Sequence, residues 1–464
     1  MSYYGGSYYG YGGYGDKKTT YNSYYNYGSR STAVKAVSLP DAPGDTVSCL
    51  TFSSSNTYLA ASSWDSTLRV WQFNSWKAEP KFYTTTHQIP ILRCCFDGSD
   101  QNVYFGATDG NVYCVSIEGT GSAYSTFSFG GSTTNSSSLE TQKTTNSTLK
   151  TGFNTQTNST ASKSLFQTST PTNVDKNLKT CSPATPTCVQ SYYKGLGPIT
   201  GLRWYSRLDV LIVATSCVDP EKGDRYALIF YYNPKDTSVR MDTLRNQLLL
   251  YKTNLKIIDI DLYEDMLYIC GIESNPNAPS QTKPYLSSIN LDAQTIQENV
   301  VPIGINDSAH VGQQITSIAA TKRGYIAVNT LGDAEFSIGG EYFVQNLFRH
   351  VAAGKCALYP ANCVAYSPDL EMAIVCSGVN FSIQPASPQI QFINALKGYN
   401  MVKPFQGNVP ITACAFSNGD DYFVVATGND WSKGPPKAHQ TFQIGIYLQK
   451  IPDDVKTGLN ESKE

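Results

Sequence analysis

Seven times along the chain a six-residue run places an apolar residue, two further residues, an apolar residue or Cys, one residue, and then an apolar or aromatic residue. The runs are VSCLTF (47–52), ILRCCF (91–96), ITGLRW (199–204), LKIIDI (255–260), ITSIAA (315–320), ANCVAY (361–366) and ITACAF (411–416). After a short polar turn each is followed by a second run ending in small residues, starting at Tyr58, Val103, Val210, Met266, Tyr325, Met372 and Tyr422. A third run is legible from Leu68, Val112, Ala227, Gln389 and Gln443. β-Branched and aromatic residues between polar turns predict strands, with alternate side chains on opposite faces. So small a sheet cannot bury both of its own faces. Like neighbours on either side do so, and closing the series into a ring leaves no long open edge. The pattern predicts an all-β, seven-bladed β-propeller. A strand near residues 33–39 is expected to complete the last blade beside the strands around 443–448.

Spacing marks one interruption. The last residues of successive first runs lie 44 apart from Phe52 to Phe96, 108 apart to Trp204, and then 56, 60, 46 and 50 apart. Residues 118–188 fall in the long step, and more than half of them are Ser, Thr or Asn. Without them about 37 residues remain, a normal blade. They are expected to form a disordered insert between blades two and three, whose deletion leaves the fold intact. Units four and five are the weakest, because Ile260 and Ala320 stand where the others carry an aromatic residue. Residues 1–31 read as a Tyr/Gly-rich disordered tail, with ten Tyr and seven Gly in the first 30 positions. The propeller is expected over 32–450, with a polar C-terminal tail over 451–464.

A net charge of −2 over 464 residues gives no bulk attraction to a polyanion or an anionic membrane. No apolar run is long enough to span a bilayer, and the N-terminus has no signal-peptide core, so no membrane insertion is expected and the compartment reads as cytoplasm or nucleus. Twelve cysteines agree with a reducing compartment, where free Cys within strands behaves as a small buried hydrophobe. Cys181 and Cys188 lack a second pair or a His nearby, so neither a metal site nor a cofactor is expected. The four His have no metal-binding spacing, and no nucleophile elbow or phosphate loop occurs. The pairs Asp259/Asp261 and Asp420/Asp421 read as solvated turn residues. The chain is expected to be non-enzymatic.

The segment 43–73, PGDTVSCLTFSSSNTYLAASSWDSTLRVWQF, resembles the first WD repeat of the nuclear mRNA export factor family of the nuclear pore, and of its sister, the mitotic spindle-checkpoint WD-repeat protein. The shared words are Ser62-Ser63-Trp64-Asp65 and the strand that follows. Residues 347–368 are similar to the family's basic strand end and its entrance to blade six, and GNDWSKG at 428–434 is similar to a motif found in the export factor and not in its sister. Phe127-Ser128-Phe129-Gly130, in its sparsely charged background, resembles a nucleoporin FG repeat, which implies contact of Phe127 and Phe129 with a transport receptor.

The resemblance implies a WD-repeat propeller acting as an adaptor in mRNA export, located at the nuclear pore and also in the cytoplasm. It would bind a short nucleoporin motif through Trp64, Asp65, Arg349, His350, Trp431 and Lys433, with mRNA ribonucleoprotein as a further partner. Each residue also has a structural reading: Trp64 as a brace of the ring, Arg349 and His350 as solvated turn residues, and 430–433 as a tight turn. Two departures stand out. Thr330-Leu331-Gly332-Asp333 replaces the family's Ile-Glu-Gly-Arg, which puts an anion where a cation would face an acidic peptide, and Ile393-Asn394 replaces a Trp-Asp pair. The alternatives are a spindle-checkpoint adaptor binding checkpoint kinases at kinetochores and a direct RNA-binding protein.

Overall fold

The computed structural model describes residues 36–73, 81–117, 187–190, 196–218, 225–234, 248–253, 255–275, 278–293, 295–297, 314–352, 355–378, 387–398, 405–407, 409–419, 421–429, 444–453 and 455–456. All belong to the unit Ala33–Glu464, and the other unit, Met1–Thr32, lies outside the described residues.

Seven four-stranded antiparallel sheets follow one another as blades. Blade one is Val47–Phe52, Tyr58–Ser63, Thr67–Gln72 and Lys81–Thr86. Blade two is Ile91–Phe96, Asn102–Ala107, Val112–Ser116 and Thr187–Gln190. Blade three is Leu196–Tyr205, Val210–Val218, Arg225–Tyr232 and Leu248–Thr253, and blade four is Leu255–Tyr263, Met266–Asn275, Ala278–Asn290 and Thr295–Gln297. Blade five is Ile315–Thr321, Gly324–Asn329, Asp333–Ile338 and Glu341–Asn346. Blade six is Ala361–Ser367, Met372–Ser377, Ser387–Asn394 and Phe405–Gly407. Blade seven takes Ile411–Phe416, Tyr422–Thr427 and Gly445–Lys450 from the C-terminal part, and its outer strand, Val37–Ser38, from the N-terminal part. A two-stranded hairpin, Arg349–Ala352 with Lys355–Leu358, stands between blades five and six.

First strands of successive blades adjoin all the way round, and that of blade seven meets that of blade one. The apolar core is accordingly not central. Among the described residues it divides into seven clusters, each shared by two adjacent blades. Tyr58–Ser63 and Met372–Ser377 are buried along their whole length because both faces meet other protein. The small residues near the ends of second strands fit that crowding. A Cβ on Gly106 would lie 2.3 Å from Cγ2 of Ile199 in blade three.

Closure between the chain's two ends falls where the sequence places it. Val37 pairs with Leu448 and Ser38 with Tyr447, and the Leu39 amide donates to Ile446 O. Leu39 then packs with Trp71 of blade one and Ile446 and Leu448 of blade seven. Fully buried Trp71 donates through Nε1 to Pro40 O at 3.0 Å, fixing the incoming segment.

Three expectations change. Thr187 and Cys188 belong to the strand Thr187–Gln190, which pairs with Val112–Ser116. The Ser/Thr/Asn-rich segment therefore interrupts blade two before its last strand, and residues 118–186 lie outside the described residues. Ile451 and Val455, placed by sequence in the polar tail, are fully buried against blades six and seven. In blade four the register starts at Ile257 rather than Leu255, which puts Leu262 at the position where every other blade except the fifth, with its Ala320, carries a terminal aromatic residue.

The outer strand after the insert makes the deletion test specific. Replacing 118–186 with a short Gly/Ser linker is expected to leave the thermal melt close to that of the full chain. Extending the deletion to Gln190 strips the Val112–Ser116 edge and is expected to lower Tm by several degrees, read by circular dichroism.

Candidate functional site

The first strand of every blade carries a β-bulge, after its opening residue in five blades and after Ile199 and Ile257 in blades three and four. In blade one Val47 pairs with Ser63 and Cys49 with Ser62, leaving Ser48 unopposed. Leu92, Thr200, Ile258, Thr316, Asn362 and Thr412 occupy the same position in blades two to seven. A bulge re-aims the extra side chain. All seven line one cavity of about 370 Å³, which therefore sits on the ring axis.

Three of the bulged side chains also couple blades. Ser48 Oγ donates to Ile91 O at 2.7 Å, Asn362 Nδ2 donates to Ile411 O at 2.9 Å, and Thr316 Oγ1 donates to Ala361 O. In each case the acceptor is the first residue of the next blade's inner strand. Leu92 and Ile258 leave two apolar sectors in the ring, and Thr200 Oγ1 is buried without a hydrogen-bond partner.

Trp64 lies on this cavity and is 45% exposed. Its amide donates to Thr46 O at 3.0 Å, which holds the turn while leaving the indole at the mouth. Asp65 has a different task. Its carboxylate accepts from Gly44 N at 2.7 Å, Thr67 N at 3.0 Å, Thr67 Oγ1, and Arg69 Nη1 at 3.1 Å. Burial works to raise this carboxyl, but the bonds from Thr67 and Gly44 and the Arg69 guanidinium hold it below its ordinary value. Asp65 thus fixes the turn that presents Trp64.

Asp259 and Asp261 are not solvated turn residues. Both lie on the inner strand of blade four, Asp259 only 7% exposed. Asp259 Oδ1 lies 3.5 Å from Arg93 Nη2 of blade two, and its Oδ2 accepts from Ser317 Oγ of blade five at 3.0 Å. Asp261 pairs with Arg203 of blade three at 2.8 Å and accepts from the Ala320 amide at 2.8 Å. Arg93 also donates to Ile258 O at 3.1 Å. Among the described residues lining the cavity Arg93 carries the one formal charge, and these bonds commit it. Burial disfavours the Arg203 cation, and Asp261 and Asp259 more than reverse that effect. The network ties blades two to five and uses up its carboxylates internally. Asp421, by contrast, is largely exposed and pairs with Lys456 at 2.8 Å.

Arg349 and His350 begin the hairpin between blades five and six, pairing with Leu358 and Ala357; their side chains lie outside the described residues. Buried Phe348 and Tyr359 close its base. Gly332 O accepts from the Leu347 and Phe348 amides, and Gly332 itself has φ +78°, with a Cβ there 2.3 Å from Tyr359 O. The turn 330–333 is thus the hairpin's foundation. Asp333 is 4% exposed, so it does not present an anion at the surface. Ile393 is fully buried, and Asn394 Oδ1 caps a turn by accepting from the Leu396 and Lys397 amides, the work a carboxylate would do. Phe127, Phe129, Trp431 and Lys433 lie outside the described residues. The described part of the last motif ends at Asn429, on the cavity wall, where Asn429 O accepts from Thr46 Oγ1 at 3.2 Å.

The family described as "WD domain, G-beta repeat" (WD40) matches residues 36–72, the closing strand and most of blade one. No curated protein matches the sequence. Two similar solved structures are "Structure of U3-55K", with TM-score 0.53 at 7% identity over 90% of this chain and 98% of that chain, and "Crystal structure of RRP9 WD40 repeats", with TM-score 0.52 at 7% identity over 90% and 100%. At such identity the likeness is one of fold: this chain folds as a β-propeller like those structures, with one WD-repeat match at its closing strand and first blade. WD40 domains generally serve as non-enzymatic scaffolds for protein interaction. No helix among the described residues is long and apolar enough to cross a membrane.

The carboxyl of Asp100 is also lowered. Burial opposes the shift, and bonds from Ser54 and Ser55 across the blade one to blade two boundary produce it. A carboxyl depressed on folding contributes stability that is full above its unfolded pKa, about 4, and is lost as pH falls through the lower folded value. Tm is therefore expected to hold above about pH 5 and to fall on acidification below about pH 4. Asp65→Asn is expected to cost about 2 kcal/mol at neutral pH and to flatten part of that acid decline. A wild-type acid slope in this variant would remove Asp65 from the account.

Proposed function

We propose that this propeller is a non-enzymatic adaptor that binds a short nucleoporin peptide at the mouth of the axial cavity and supports export of mRNA at the nuclear pore. The observation that carries the reading is Trp64: a large indole left 45% exposed on the cavity wall, within the words Ser62-Ser63-Trp64-Asp65 that resemble the export factor family. Exposed aromatic residues beside a pocket are common centres of binding energy. The apolar sectors at Leu92 and Ile258 suit an inserted apolar side chain, and the partnerless Thr200 hydroxyl offers a hydrogen bond to the peptide that brings it.

Arg349, His350, Trp431 and Lys433 are assigned to peptide binding on the resemblance alone, and Asp65 to holding Trp64 in place. Phe127 and Phe129 are assigned to transport receptors. A strand of RNA calls for a basic groove with stacking aromatics, whereas the single cation among the described residues lining the cavity is committed to Asp259 and Ile258.

Affinity purification of the tagged full chain is expected to recover nucleoporins. Trp64→Ala is expected to cut that recovery, with an affinity loss of about thirtyfold, corresponding to a hot-spot residue, and an unchanged Tm. Recovery of checkpoint kinases instead of nucleoporins supports the kinetochore adaptor. Recovery that is insensitive to Trp64→Ala rejects the axial cavity as the contact.

A further inference from the structure

Cys363 is the third residue of the inner strand of blade six, Cys376 faces it directly on the second strand, and Cys414 is the fourth residue of the inner strand of blade seven. Their three Sγ atoms lie within 4.8 Å of one another. Cys376 is fully buried and Cys363 is 8% exposed. Around them are Ile374, Ile390, Phe392, Ile411 and Val425. Among the described residues no fourth His, Cys, Asp or Glu joins the group.

We propose that this trio is a metal site, and that the ion it takes is monovalent copper, held by three sulfurs across the boundary of blades six and seven. Soft thiolates in a dry apolar pocket select soft d10 ions. A closed structural zinc site takes four protein ligands, and zinc held by three keeps a water as its fourth; three sulfurs in a dry apolar pocket, with no fourth donor among the described residues, suit the lower coordination number of Cu(I). On binding, coordinating thiols release their protons to solvent as the Sγ–metal bonds form, and no electron is transferred.

The ring holds two internal comparisons. At the same three positions of blades one and two stand Cys49, the facing Ser62, and Cys94. That trio has one hard hydroxyl in place of a soft sulfur. At the boundary of blades seven and one the positions hold Ala413, the facing Ala426, and Leu50, with no donor at all. Only the blade six to blade seven boundary completes three sulfurs among these equivalents, and the other two show which replacements the fold accepts.

The test is an anaerobic titration of the reduced full-length protein with Cu(I) against a chromogenic Cu(I) chelator, with Zn(II) in parallel. Binding is read as copper withdrawn from the chelator and as sulfur-to-copper charge-transfer absorption in the near ultraviolet. The full chain and Cys49→Ala are expected to withdraw a single equivalent, and Cys376→Ala, which installs the residue type of Ala426, is expected to withdraw none while keeping its circular dichroism spectrum. Should Cys376→Ala fail to fold, Cys363→Ala, which matches Ala413, carries the same expectation. Copper uptake unchanged in the folded variant, or absent from the full chain, overturns the site. Tight Zn(II) uptake that excludes Cu(I) overturns the choice of metal.

Discussion

Among the described residues no blade has a core of its own. Every apolar cluster among the described residues is shared by two neighbouring blades, and the middle strands Tyr58–Ser63 and Met372–Ser377 have no solvent face. A blade is therefore stable only between two others, and the last interface has to be made by the two ends of the chain. That burden falls on a short stretch. Val37 and Ser38 supply the ladder, Leu39 fills the cluster between blades seven and one, and Trp71 reaches back to Pro40. Ile451 and Val455 add apolar cover from the other end, so both flanks of the domain belong to the closure.

A closed ring frees its innermost strands from the ordinary rule of alternation. Each inner strand spends one residue on a bulge, and the side chain released points to the axis instead of into a blade interface. Where it is Ser48, Thr316 or Asn362, it ties its blade to the next through a carbonyl, and where it is Leu92 or Ile258 it leaves the wall apolar. The same seven positions thus stiffen the ring and define a recess at its centre. Trp64 stands at that recess because Asp65 holds the turn behind it with four hydrogen bonds.

The repeat count, the strands of the ring and its closure were legible because they follow from apolar periodicity. The bulge was written there as well. Two residues between the first apolar pair of each run, as in Val47-Ser48-Cys49-Leu50, is one more than alternation allows, and the extra one is the residue on the axis. In blade four the sequence fits that spacing in two registers, starting at Leu255 or Ile257, and only pairing with the second strand decides between them. The outer strand Thr187–Gln190 was lost because four residues at the end of a polar segment carry no period. Charge was the least legible. Asp259 looks like any polar residue near a turn until Arg93, far away in sequence, is brought against it, and the sign of Asp333 signifies little once its side chain is buried.

Equivalent positions on the inner strands have taken up different chemistries around the ring. Counted from the opening residue of the paired register, the third residue is Arg93 in blade two, Asp259 in blade four and Ser317 in blade five; Asp259 bonds to Ser317 of the adjacent blade and reaches past blade three to Arg93. The same position is Cys49 in blade one and Cys363 in blade six, and each Cys meets another Cys on the inner strand of the next blade. A buried ion pair or a set of thiols tolerates no slip, since moving one partner leaves the other desolvated and unpaired. Apolar contacts between blades fix distance but accept small rotations. The charged network between blades two and five and the thiol group between six and seven act on opposite sides of the ring, and together they convert a stack of interchangeable blades into one with a fixed order.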